Sequence, residues 1–174
     1  CLSRGLGDVY KRQIQDHGLG IDKTTAMSIM SVYGALIYMS SIPGGWIADR
    51  ITGTRGATLI GAVLIIIGHI CLSLPFAMVG LFTSMFFIIV GSGLMKPNIS
   101  NIVGRLYPEN DVRMDAGFVI FYMSVNFGAL ISPIILQNFI DIKNFHGGFL
   151  IAAIGMALGL VWYVLFNRKT LGNV

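Results

Sequence analysis

The chain is 174 residues long, 55% hydrophobic and only 11% charged, where an ordinary soluble domain carries about 25% charge, and its mean hydropathy is +0.76. A single water-soluble globular domain is excluded. The formal charge of +4 does not point to nucleic acid, because Arg4, Lys11 and Arg12 against Asp8 put 3 − 1 = +2 of it in the first thirteen residues, and the other basic residues, Lys96 apart, punctuate the connections between apolar runs.

Residues 3–13, SRGLGDVYKRQ, have no apolar period, and the chain opens with Cys rather than Met. The segment resembles one reading frame of a common transposase-based sequencing-library adaptor, so residues 1–13 are expected to be an artefact of that kind and are set aside from fold reasoning. Residues 14–24 are read as an extracellular loop. Cys1 and Cys71 stand too far apart, one of them inside an apolar run, to suggest a disulfide framework or a metal-ligand spacing.

Beyond residue 24 the chain supplies five apolar stretches of the roughly 20 residues that a membrane-crossing helix needs, near 25–48, 56–75, 78–104, 115–139 and 148–167. The apolar runs at 64–67 and 86–90 would suit buried strands if they stood alone, but they lie in long windows without turn signals, and length favours helix. Residues 168–174 read as the start of a cytoplasmic linker. The expected fold is therefore an all-α membrane protein with five spans. Arg50, Arg55, Arg105, Arg113, Arg168 and Lys169 flank one side of these spans, and Lys23 and Lys143 the other. The positive-inside bias puts the first set in the cytoplasm. The first span then starts outside and the fifth ends inside, which calls for one preceding helix. Five plus one makes six, half of a twelve-helix transporter built from two parallel repeats.

Polar residues inside spans need a partner or a cavity. In the first span Ser31, Gly34, Tyr38, Ser41 and Gly45 recur at spacings of 3, 4, 3 and 4, one helical face. The small residues read as close helix packing; for Tyr38, packing and cavity lining stand open. Residues 44–55, GGWIADRITGTR, read as a short loop whose Asp49, Arg50 and Arg55 suit ion pairing at a cytoplasmic gate. His69 reads as a hydrogen-bonded packing element.

The third span carries Lys96 followed by Pro97. A lysine near a helix centre costs about 2.5 to 3.5 kcal/mol on insertion scales, so either the side chain snorkels toward the Arg105 end or it has a function. Pro97 frees the Gly93 carbonyl, which favours a kink and an exposed acceptor. In the connection at 105–115, Asp111 or Asp115 can cap the next helix. In the fourth span Tyr122, Asn126, Ala129 and Pro133 share a face, and Asn126 serves either an interhelical hydrogen bond or a substrate. No nucleophile, base and orienting group occur together, so an enzyme is not expected. No cofactor or metal is expected either.

Three blocks together resemble the proton-dependent oligopeptide transporter family of the major facilitator superfamily. They are residues 44–50 (GGWIADR) with Gly53 and Arg55; residues 93–98 (GLMKPN); and residues 115–118 (DAGF) running into Phe121, Tyr122 and residues 126–128 (NFG). The resemblance covers about 26–166 and implies helices two to six of a twelve-helix fold, so that 25–167 form an N-terminal bundle lacking its first helix. It implies that Lys96 couples proton movement to peptide binding, and that Tyr38 and Asn126 line the peptide site. Tyr33 and Tyr122 are placed with them. It makes Gly45, Asp49, Arg50, Gly53 and Arg55 the cytoplasmic gating motif. Phe127 departs from the smaller aliphatic residue usual in relatives. The family's Glu-x-x-Glu-Arg helix and its second six-helix half are not in this chain. The resemblance implies a multi-pass protein of the cytoplasmic membrane whose partners are di- and tripeptides, protons, the lipid bilayer and the remaining helices of the same polypeptide. Same-family transport of nitrate or another small metabolite, and a non-transporting assembly subunit, are the alternatives.

Overall fold

The computed structural model describes residues 22–74, 77–108, 111–139 and 145–170. Residues 1–21, with the expected adaptor and most of the expected loop 14–24, lie outside the described residues, as do 171–174 of the expected linker. Every regular element described is helical: α1 (Lys23–Met39), α2 (Ser41–Ile47), a π-helical turn (Ala48–Thr52), α3 (Gly53–Ser73), α4 (Ala77–Arg105), α5 (Arg113–Phe139) and α6 (Phe145–Thr170).

Local chemistry sets the ends. The Asp22 carboxylate accepts the Thr24 N–H at 3.1 Å and caps α1. Asp111, rather than Asp115, caps α5, accepting the Arg113 N–H at 2.9 Å while pairing with the Arg113 guanidinium at 2.8 Å. Pro43 has no N–H to return to the Met39 carbonyl, and α1 gives way to α2 one residue beyond, at Ser40.

Four helical runs are long and apolar enough to cross a membrane, by length and composition: Lys23–Ser73, Met78–Arg105, Arg113–Ile134 and Gly147–Phe166. The first two expected spans thus fall in one 51-residue run, because the expected loop at 44–55 is not an open loop. Helical bonding continues through Ile47 and the π turn, and the break comes at Gly53, whose φ of +70° is left-handed and open to glycine. The run nevertheless reverses direction. Ser40 and Gly44 meet Ile89 and Gly93, so α1 and α2 run parallel to α4, whereas Gly61 meets Gly91 and Gly68 meets Ser84, so α3 runs antiparallel to it.

Backbones touch along the α3–α4 seam. A methyl built on Gly61 would lie 2.6 Å from the Gly91 carbonyl oxygen, and one on Gly91 would lie 2.6 Å from that of Gly61. Small residues let helices approach this closely where no hydrophobic drive exists between them. Ala57, Ala62 and Ile65 of α3 and Ser84, Ile88 and Leu94 of α4 are buried in the seam region. Helix α6 packs on the side of α3. Helix α5 meets α4 near the connection between them, where Phe118 and Met114 approach Gly104 and the Tyr107 ring covers Gly117.

The small-residue face of the first span differs from expectation. A methyl on Gly34 or Gly45 would meet nothing within 4 Å, while Ser31 donates to the Met27 carbonyl of α1 and Ser41, at the start of α2, to the Ile37 carbonyl of α1. Packing falls one position over, on Ser40, Gly44 and Ala48. Small residues stand at both 40–41 and 44–45, so spacing alone cannot choose the face; the Gly93 backbone opposite does.

Candidate functional site

Lys96 is exposed on α4, with its Nζ 5.2 Å from the centroid of the Tyr38 ring on α1, a cation–π distance. The Ser40–Ile89 and Gly44–Gly93 contacts both offset the first run from α4 by 49 residues. Tyr38 therefore stands level with about residue 87, nine residues before Lys96, or about 13 Å at 1.5 Å per residue. The ammonium is drawn toward the N-terminal half of α4, the direction in which helical side chains lean. That is away from Arg105, so snorkelling toward that end is not what the side chain does.

Around Lys96 the backbone is tightly held. Pro97 leaves the Gly93 carbonyl without its i+4 donor, but Gly93 is buried and its carbonyl lies against the Gly44 backbone. The expected exposed acceptor is therefore absent at this position. Helix α4 continues through Pro97, helped by Asn98, which is fully buried and donates from Nδ2 to the Leu94 carbonyl at 2.6 Å. Sequence reasoning gave neither Ser40 nor Asn98 a role of its own. The adjacent Lys-Pro was the signal that the turn would need an extra bond, and the Ser-x-x-x-Gly step could have shown the packing face.

The other expected binding residues lie elsewhere. Tyr33 is half-buried and lines an apolar groove between α1 and α4 with Ile29, Val32, Leu36, Phe82 and Met85; five residues from Tyr38, it occupies a different face of α1. Tyr122 and Asn126 are exposed on α5, and the Asn126 Nδ2 donates to the Tyr122 carbonyl at 2.9 Å. That amide bond is within its own helix, not the interhelical one weighed from sequence. Tyr122 packs edge-on to Phe121 with centroids 5.4 Å apart, and Phe127 is exposed beside them. The structure thus joins Tyr38 with Lys96, and Tyr122 with Asn126, as two pairs.

In the 44–55 motif, Asp49 and Arg50 are exposed on the π turn, and the Arg50 guanidinium lies 5.6 Å from the Trp46 ring centroid. Gly45 faces open space, Gly53 makes the left-handed break, and Arg55 is half-buried in the first turns of α3. His69 is half-buried, as a packing residue would be, with its Nδ1 unbonded among the described residues. Beyond the spans, the Arg113 guanidinium bonded to Asp111 holds that carboxyl below the usual carboxylate range.

An ammonium over a ring and an amide on an exposed helix face can bind carboxylate and amide groups. Residues 56–169 match the profile PTR2, the POT family. The chain belongs to the POT family. It is 50% identical over 155 residues to the uncharacterized transporter YclF of Bacillus subtilis (strain 168), covering 89% of this chain and 32% of that protein. It is equally 50% identical over 148 residues to a di-/tripeptide transporter of Lactococcus lactis subsp. lactis (strain IL1403), covering 84% and 30%. The crystal structure of a POT family transporter in complex with 5-aminolevulinic acid is 88% identical and superposes with a TM-score of 0.90 over 92% of this chain and 33% of that one. The crystal structure of peptide transporter POT in complex with sulfate is 50% identical, with a TM-score of 0.88 over 91% and 32%. The chain thus spans about a third of the length of the relatives it matches, and is an all-helical, multi-pass membrane segment of the POT family fold.

Proposed function

We propose that this chain is part of a proton-coupled symporter of di- and tripeptides in the cytoplasmic membrane. The observation that carries the reading is Lys96, an ammonium inside an apolar span that faces a tyrosine ring instead of reaching for the Arg105 end. A charge held at such a position is by default a functional group with a partner, and a carboxylate on a helix beyond this chain is that partner. Protonating the carboxylate releases the ammonium and biases the helices toward the other access state. Peptide binding is assigned to Tyr38 and Asn126, with Tyr33 and Tyr122 shaping the walls. Lys23–Ser73 crosses the membrane twice, turning at the gating motif of Gly45, Asp49, Arg50, Gly53 and Arg55 on the cytoplasmic side, so the chain holds five spans, helices two to six of twelve. Relatives named as di-/tripeptide transporters support the substrate class.

A second reading, a same-family carrier of another small metabolite, is favoured by the 88% identical transporter in complex with 5-aminolevulinic acid. That compound carries an amino group and a carboxylate at opposite ends, as a dipeptide does. Uptake of labelled dipeptide by the full-length protein in proteoliposomes tests both readings. In Lys96→Gln, accumulation driven by an inward proton gradient falls to background while dipeptide exchange persists. Parental accumulation with unchanged pH dependence would remove Lys96 from coupling, and 5-aminolevulinic acid uptake without dipeptide uptake would favour the second reading.

A further inference from the structure

We propose that Ser40 is a positioning residue for the Tyr38–Lys96 pair, its hydroxyl fixing the register between α1 and α4 at which ring and ammonium meet. The two groups sit on different helices, so their 5.2 Å separation depends on how far one helix slides on the other. Two of the contacts between these helices bear on that register. At Gly44 and Gly93 the backbones touch, with no room for a methyl on either glycine. This contact fixes the distance between helices and, having no polar side chain, gives little direction along them. Direction comes one turn earlier, where Ser40 Oγ lies 2.9 Å from the Ile89 carbonyl oxygen of α4 and 2.8 Å from the Ile37 carbonyl oxygen of its own helix.

The placement is specific to the pair. Ser40 is two residues from Tyr38 in sequence, and Ile89 is seven residues, two helical turns, from Lys96, hence on the same face of α4. A methyl on Gly93 would meet both Ser40 O and Ser40 Oγ at 2.5 Å, so the hydroxyl is enclosed between the helices. The inference rests on the assignment of proton coupling to Lys96.

The test uses the full-length transporter in proteoliposomes, with labelled dialanine as the probe. Ser40→Ala removes the hydroxyl and little volume. Proton-driven accumulation is expected to fall about fivefold, the equivalent of one hydrogen bond, with a shift in its pH profile, while gradient-free exchange of labelled for unlabelled dialanine stays parental. In a Tyr38→Leu background, which has no ring to position, Ser40→Ala is expected to cause no further shift of the pH profile. The proposal is overturned by a parental pH profile in Ser40→Ala, by exchange and accumulation falling in step, or by an equal shift with and without the ring. Lys96→Gln measured alongside separates the two levels. Background accumulation in Lys96→Gln with a parental Ser40→Ala overturns the register role alone, whereas parental accumulation in Lys96→Gln overturns the coupling assignment and the register role together.

Discussion

Lys96 shows how far one contact can carry a charge. Placing a lysine near the centre of a span costs about 2.5 to 3.5 kcal/mol, and an aromatic face returns from about 0.5 to about 2 kcal/mol depending on desolvation. The Tyr38 ring therefore offsets part of the cost, and the rest calls for an anionic group. Tyr38→Phe keeps the ring face and loses only the phenolic hydroxyl, while Asn126→Ala loses the amide exposed on α5. Each is expected to weaken dipeptide binding by about 1 kcal/mol, roughly fivefold in Kd, with normal membrane insertion, as read by calorimetry on the full-length protein. Parental binding with lost insertion would instead assign both side chains to packing. Sequence showed that Lys96, Tyr38 and Asn126 were out of place in apolar runs. It could not show that Lys96 leans toward Tyr38 and not toward Arg105, because that direction depends on a register between helices fifty residues apart.

At the level of elements, hydropathy located the helices well, since twenty-residue apolar windows have few other folds available. Outside the 51-residue run, the expected starts and ends fall within three residues of the observed helix limits. Breaks were harder to read. The first 51-residue run is interrupted at Ser40, three residues before Pro43, and at Gly53, not at the Gly44-Gly45 pair, because glycine permits a break without requiring one, and only at Gly53 is the left-handed conformation adopted. The Gly61–Gly91 contact gives a sharp expectation. Gly91→Ala puts a methyl against backbone that cannot rotate away and is expected to destabilise the segment by about 1 to 3 kcal/mol. Gly34→Ala meets nothing within 4 Å and is expected to be neutral or slightly stabilising through helix propensity. Thermal unfolding of the two detergent-solubilised full-length variants checks the contrast, and equal melting temperatures would contradict the seam.

The whole molecule divides into a packed part and an open part. Helices α2, α3 and α4 hold the close backbone contacts, whereas α1 has no buried residue and the span of α5 has none between Arg113 and Ile134. The open helices are the ones that carry Tyr38, Tyr122 and Asn126, so the polar groups assigned to binding sit where further helices can reach them. Transport by rocking one repeat against another needs both repeats. The 174-residue chain in proteoliposomes is accordingly expected to show no saturable dipeptide accumulation under an inward proton gradient, and such accumulation would refute its assignment to one half of a two-part carrier.

The crossing at Gly44 and Gly93 behaves as a bearing more than a rivet. A carbonyl resting on a glycine α-carbon makes a weak, broad contact, so small translations along the helix axis change its energy little. Resistance to sliding is concentrated in the Ser40 hydroxyl, whose net worth is about 1 kcal/mol. Movement of the two helices past one another would then require no unpacking of a knob-and-hole interface. The same economy makes the joint sensitive: one added methyl at either glycine seizes it, and one lost hydroxyl leaves it without a stop.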